Sequence, residues 1–174
     1  MTEPTAGDRA PSSVRRRVVE WTDPALLATS AAGLAGLDFL RAVVDGDIAQ
    51  PPVAALLGTA IVEAERGRVV FELETGEHLY NPIGSVHGGI ISTVLDSAMG
   101  CAVHSMLAVG QGYTTLELKV NFDRALTIAV PRVRAEGEIV TSGRRVATAV
   151  GRVVGPDGTL FAHSSTTCLI FELQ

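Results

Sequence analysis

Between Ile90 and Leu107 the chain is almost continuously apolar, and a single carboxylate, Asp96, stands in the middle. Ile90, Ile91, Val94, Leu95, Ala98, Met99, Ala102, Val103, Met106 and Leu107 recur at three- and four-residue steps. They leave almost no polar face, so the spacing predicts a helix buried nearly all round rather than one lying on a surface. Other elements have to enclose such a helix. A turn-rich stretch, Asn81-Pro82-Ile83-Gly84-Ser85, leads through His87 to Gly88-Gly89, which fit its start. Backbone N–H groups there lack intrahelical partners and the helix dipole favours negative charge, so a substrate oxygen can dock.

Asp96 lies eight residues beyond Gly88, too deep to be an N-cap or a first-turn acid. An ionised carboxylate on a buried helix is costly unless it is paired, hydrogen-bonded or facing a wet pocket. Its helical neighbours Ser92, Thr93, Met99 and Gly100 are mostly small or polar and suit a cavity wall. A solvent-facing acid, or one bonded to Thr93, is the alternative reading of the same residues. At ~1.5 Å rise per residue, Gly88 and Asp96 are about 12 Å apart along the axis. A reacting carbon must sit ~3 Å from both an oxyanion donor and a base. If both groups serve one reaction they therefore come from different chains, which predicts a two-fold dimer with two equivalent sites.

The rest of the chain supplies the enclosure. Gly58 to Arg66 and Arg68 to Thr75 flank Gly67 as a hairpin, and the helix follows. Tyr113 to Arg124 alternates, with Leu116, Leu118, Val120 and Phe122 expected on one face and Thr115, Glu117, Lys119 and Asn121 on the other. Pro131 to Val140, Arg144 to Val154 and Thr159 to Leu173 read as further strands, giving a four-strand meander after the helix. Ahead of all this, residues 1–17 read as a disordered tail, 18–53 as a helical extension with a start signal at Thr22-Asp23-Pro24, and 54–174 as the main domain. The expected class is α+β, an antiparallel sheet wrapped around a long central helix.

Composition narrows the function. At 174 residues, 47% of them hydrophobic, the chain suits one domain with a sizeable core. A net charge of −5 and the lack of a basic stripe with interleaved aromatics argue against nucleic acid. No apolar run is long enough for a membrane span and no secretory leader is evident, so the expected location is cytoplasmic. Cys101 and Cys168 read as buried thiols, and the histidines share no metal spacing. The serine-hydrolase elbow, the P-loop and the dinucleotide fingerprint do not occur.

Taken together, Asn81 through Gly89, then Asp96, then Tyr113-Thr114-Thr115-Leu116-Glu117-Leu118-Lys119-Val120-Asn121-Phe122 resemble the hotdog-fold acyl-CoA thioesterases. The resemblance spans Leu56 to Leu173 and points to the branch containing phenylacetyl-CoA and related aryl- or acyl-CoA thioesterases. It departs where Arg124 is followed by Ala125 instead of proline, and some relatives carry a Glu elsewhere on the helix in place of Asp96. The resemblance implies that the Gly88 amide polarises the thioester carbonyl and that Asp96 of the partner subunit is nucleophile or general base. It further implies that Asn81 helps place the water or carbonyl, that Thr115 steadies the water or the acid, and that His87 shapes the turn. Gly89 belongs to the substrate-binding set. Arg144 and Arg145, beside the Ser142-Gly143 turn, are candidates for the phosphates of coenzyme A, with an ordinary charged turn as the alternative. The expected partners are an acyl-CoA substrate and further copies of the chain, as a dimer or a dimer of dimers, with no cofactor or metal. Two other functions fit a hotdog chain: an enoyl-CoA hydratase or dehydratase, which needs a catalytic histidine near the acid, and a non-catalytic acyl-CoA-binding module.

Overall fold

The computed structural model describes residues 14–173. Three helices come first: α1 (Pro24–Gly33), α2 (Gly36–Asp45) and α3 (Pro52–Leu57). Asp23 caps α1, its side chain accepting from the Ala25 N–H at 2.9 Å, and Pro24 supplies the first-turn residue that needs no N–H partner. Gly46, at φ +84°, closes α2 in the left-handed conformation. Residues 1–13 of the expected tail lie outside the described residues, whereas Arg17 donates to the Ala55 and Leu56 carbonyls at the end of α3.

Strands β1 (Thr59–Glu65) and β2 (Arg68–Glu74) form the expected hairpin, turning at Gly67 with φ +81°. A short 3₁₀ turn, Glu77–Leu79, and the Asn81 loop lead into α4 (Gly88–His104), followed by β3 (Gln111–Phe122), β4 (Arg132–Ser142), β5 (Val146–Val154) and β6 (Leu160–Glu172). All six strands belong to one antiparallel sheet in the order β1-β2-β4-β5-β6-β3. This is the hotdog architecture, with one correction to the sequence reading. Only β4, β5 and β6 form a meander; β3 pairs with β6, and β4 pairs with β2. The chain leaves α4 at the far side of the sheet, and the stretch from 123 to 131 carries it back to the hairpin.

The core lies between α4 and the concave face of the sheet. Val94, Leu95, Ala98, Met99 and Val103 are essentially inaccessible and join Val69, Leu73, Val133, Ala135, Ala147, Ala149 and Ala162 in one cluster, to which α2 adds Leu40 and Val43. Small residues on β4 and β5 set how close the helix can come. Gly137 and Gly151 face each other across the two strands, and a Cβ on Gly137 would stand 2.3 Å from the Ala98 backbone. One on Gly151 would stand 2.9 Å from Met99 Cγ.

Strand β3 departs from simple alternation. Its register against β6 shifts between Thr115 and Glu117, so Leu116 is an extra residue in a bulge. Thr115 and Leu118 consequently both face α4, and Leu116, expected among the inward set, is 57% exposed. No described helix is long and apolar enough to cross a membrane.

Candidate active site

The residues singled out by sequence fall into two groups on α4. The first surrounds the helix start. His87, the residue before α4, turns its ring so that Nδ1 accepts the Gly89 N–H at 2.9 Å. That leaves the Gly88 N–H, which has no acceptor among the described residues, as the open donor of the first turn. Gly89 therefore has its amide committed within the turn, and His87 acts as a cap.

Asn81 organises the loop that delivers the chain to this point. Its Oδ1 accepts the N–H groups of Ile83 and Ser85 at 3.1 and 3.2 Å, and its Nδ2 donates to Ser85 Oγ at 3.0 Å. Backbone bonds from Asn81 N to Ser85 O and from Gly84 N, at φ +86°, to Asn81 O close the same turn. The Val86 and His87 amides are tied to the Leu126 and Leu79 carbonyls at 2.8 Å, so the loop is fastened on both sides. Beside it opens a cleft of about 320 Å³ lined by Asn81, Ser85, Gly88, Phe122, Arg124 and Leu126 among others. Phe122 sits directly over Gly88, where a Cβ would stand 3.0 Å from the ring.

The second group lies two turns further along. Asp96 is half-buried, and Thr115 Oγ1 donates to its Oδ1 at 2.8 Å. Thr93, the neighbour that offered an alternative partner, bonds back to the Gly89 carbonyl at 2.9 Å instead. Ser92 and Ser97 likewise bond back along the helix, to Gly88 O and Thr93 O. Cys101, Tyr113 and Cys168 are close enough to feel the Asp96 charge. Burial first, and Asp96 second, push the Cys101 thiol up to about 12, so it stays protonated and is no nucleophile at neutral pH. Burial, with the same charges, also keeps the Tyr113 phenol neutral. Gly100 makes room for that phenol, since a Cβ there would stand 2.5 Å from Tyr113 Oη.

Both groups ride on one helix, so within a chain the Gly88 amide and the Asp96 backbone are held about 12 Å apart. Strand β3 touches both, Thr115 reaching Asp96 and Phe122 covering Gly88. Arg144 and Arg145 occupy the exposed turn between β4 and β5. By register this turn is at the Asp96 end, because Ala147 pairs with Cys168 and Cys168 with Thr115. Phe122, Ser85 and Tyr113 are site-lining residues that sequence reasoning did not single out. Phe122 was legible as the last apolar residue of the alternating strand, but nothing in its spacing tells that it meets a glycine.

The comparisons agree with this architecture. The family model described as Thioesterase superfamily matches residues 83–162. A Halobacterium salinarum protein named as an esterase is 30% identical over 131 residues, covering 72% of this chain and 85% of the relative. Among solved structures, a thioesterase family protein from Silicibacter pomeroyi is 31% identical, with a TM-score of 0.68 over 76% of this chain and 98% of the other. A phenylacetic acid degradation-related protein from Ralstonia eutropha is 27% identical, with a TM-score of 0.67 over 75% of this chain and 98% of the other.

Proposed function

Because the chain belongs to the thioesterase superfamily and is a thioester hydrolase, we propose that it cleaves acyl- or aryl-CoA thioesters to the free acid and coenzyme A. In this reading Asp96 of one subunit acts opposite the Gly88 amide of another. The observation that carries it is the pairing of an open Gly88 N–H beside a cleft with a half-buried carboxylate held by one hydroxyl, about 12 Å apart along the helix and so too distant to meet within a chain. A dimer with two helices antiparallel brings them together. Strand β3 supports that assembly: one side of it has no strand neighbour among the described residues, and it is twelve residues long.

The chemistry follows from the groups present. As water attacks the thioester carbon, negative charge grows on the carbonyl oxygen, and a preformed N–H at a helix start stabilises it. Asp96 accepts the proton of that water, or attacks first to give a mixed anhydride that water then opens. Thr115 donates to Oδ1 and so leaves the other carboxylate oxygen for the water. Collapse of the tetrahedral intermediate expels the thiolate. Asn81 and Ser85 line the cleft and offer polar contacts to the carbonyl or the water. Arg144 and Arg145, reaching from the Asp96 end, are proposed to meet substrate phosphates. A hydratase would need His87 as an acid or base, and with Nδ1 occupied by the Gly89 amide only Nε2 is left for that role.

The test is a free-thiol assay over a panel of acyl- and aryl-CoAs. Wild-type protein releases coenzyme A, and Asp96→Asn abolishes release while its melting temperature stays within a few degrees. Full activity in Asp96→Asn, or tight binding without any release by the wild type, overturns the reading.

A further inference from the structure

Helix α1 is apolar on every side, and the described chain buries none of its residues. Its sequence, Pro24-Ala25-Leu26-Leu27-Ala28-Thr29-Ser30-Ala31-Ala32-Gly33, holds no charge, and its two hydroxyls bond back to the Ala25 and Leu26 carbonyls at 3.0 Å. A helix without a polar face belongs in an enclosed place, so α1 has an apolar neighbour beyond those a single chain gives it. Between α1 and the start of β3 lies a cleft of about 280 Å³ with mostly apolar walls. Ala28, Ala31 and Ala32 line it from α1, and His104, Tyr113 and Phe171 line it from the main domain. Tyr113 joins this cleft to Asp96. It precedes Thr115 on the inner face of β3, and its hydroxyl reaches α4 at Gly100, one turn beyond the acid. Tyr113 stands ~7 Å from Thr115 along the strand, and His104 ~12 Å from Asp96 along the helix. The cleft therefore begins about 7 Å past the acid and ends about 12 Å past it.

We propose that α1 sets the acyl specificity, and that the substrate is the thioester of an unbranched, medium-length acyl chain whose tail passes Tyr113 and ends against Ala28 and Ala31. The inference rests on the thioesterase reading above and adds the class of acyl group to it. With its carbonyl carbon ~3 Å from the acid, an acetyl group stops short of the cleft, whereas a chain longer by several methylenes fills it. Each methylene placed there should raise kcat/KM about fourfold. The same placement accounts for the apolar character of α1. Antiparallel pairing of two β3 strands about a two-fold axis sets the start of one against the end of the other. In that arrangement α1 of the chain supplying Asp96 lies towards the exposed Phe122 end of the chain supplying Gly88, and the acyl tail is enclosed between them.

The experiment measures kcat/KM by thiol release from acetyl-, hexanoyl-, decanoyl- and phenylacetyl-CoA in wild type, Ala28→Leu and Thr29→Leu. Ala28→Leu fills the cleft, while Thr29→Leu adds bulk at an exposed position of α1 outside it. Leucine suits a helix at either position. Wild type should favour decanoyl over hexanoyl, hexanoyl over acetyl, and decanoyl over phenylacetyl. Ala28→Leu should cut the decanoyl value roughly tenfold or more and leave the acetyl value unchanged, so that the preferred chain shortens. Thr29→Leu should keep the wild-type profile. An equal loss on all four substrates in Ala28→Leu overturns the assignment, because the effect is then structural. An unchanged profile overturns it too, as does a wild type that favours acetyl or phenylacetyl over decanoyl, and these outcomes leave hydrolysis itself standing. Release from none of the four removes the thioesterase reading, and the acyl site with it.

Discussion

A carboxylate on a helix packed into a sheet needs a hydrogen-bond partner there, and at Asp96 the Thr115 hydroxyl supplies one at 2.8 Å. The acid was legible in the sequence because its cost does not depend on the details of the fold. Its partner was legible only by resemblance, since a bulge decides which way Thr115 faces. The use of the Gly89 amide by His87 Nδ1 was not legible at all, because it depends on one rotamer. Thr115→Val keeps the shape of the side chain and removes the donor. We expect kcat on the best acyl-CoA to fall roughly tenfold, from a hydrogen bond to a charged group, with the melting temperature little changed. Unaltered kcat would show that the hydroxyl does not steady the acid.

At the level of elements, the buried helix and the hairpin could be read directly: near-continuous apolar spacing with one acid fits only an enclosed helix, and Gly67 between two alternating runs fits only a turn. The strand order could not. Pairing β3 with β6 rather than β4 is a long-range choice that leaves no periodic trace, and the Leu116 bulge breaks the period-two rule on which the face assignment rested. The close seating of α4 was equally hidden, because it depends on two glycines that meet only after β4 and β5 pair. Gly137→Ala puts a methyl 2.3 Å from the Ala98 backbone, and backbone cannot step aside as a side chain can. A destabilisation of about 1–3 kcal/mol should lower the melting temperature by roughly 3–10 °C. A melting temperature unchanged within a degree would mean that the helix sits less tightly than described.

Over the whole molecule, acid tolerance and assembly carry the remaining predictions. Burial holds the His104 imidazole below its ordinary value; its Nδ1 has no partner among the described residues, and its ring packs near Phe39 and Tyr113. In the unfolded chain the same group takes a proton below about pH 6.5. Stability is therefore intact above that pH and declines as pH falls from there towards the lowered folded value, because the unfolded state binds more protons in that window. His78 shifts in the same direction, by burial and the nearby Arg17 charge, but it is exposed and contributes less. Thermal melts at pH 7.5 and 5.5 should show a smaller loss on acidification in His104→Leu than in wild type. Equal losses would remove His104 as the cause.

The central claim is that each active site is completed by two chains, and mixing inactive subunits tests it most directly. Asp96→Asn lacks the acid. Gly88→Pro lacks the amide donor, at a first-turn position where proline suits a helix and the preceding His87 is already extended, with only the Phe122 ring to shift. Each variant alone should be inactive. After subunit exchange at equal concentrations, about half the dimers are mixed and each mixed dimer holds one intact site of two, so activity should recover to about a quarter of wild type. If mixed dimers are demonstrated by mass and no activity returns, donor and acid do not meet across the interface, and the account is contradicted.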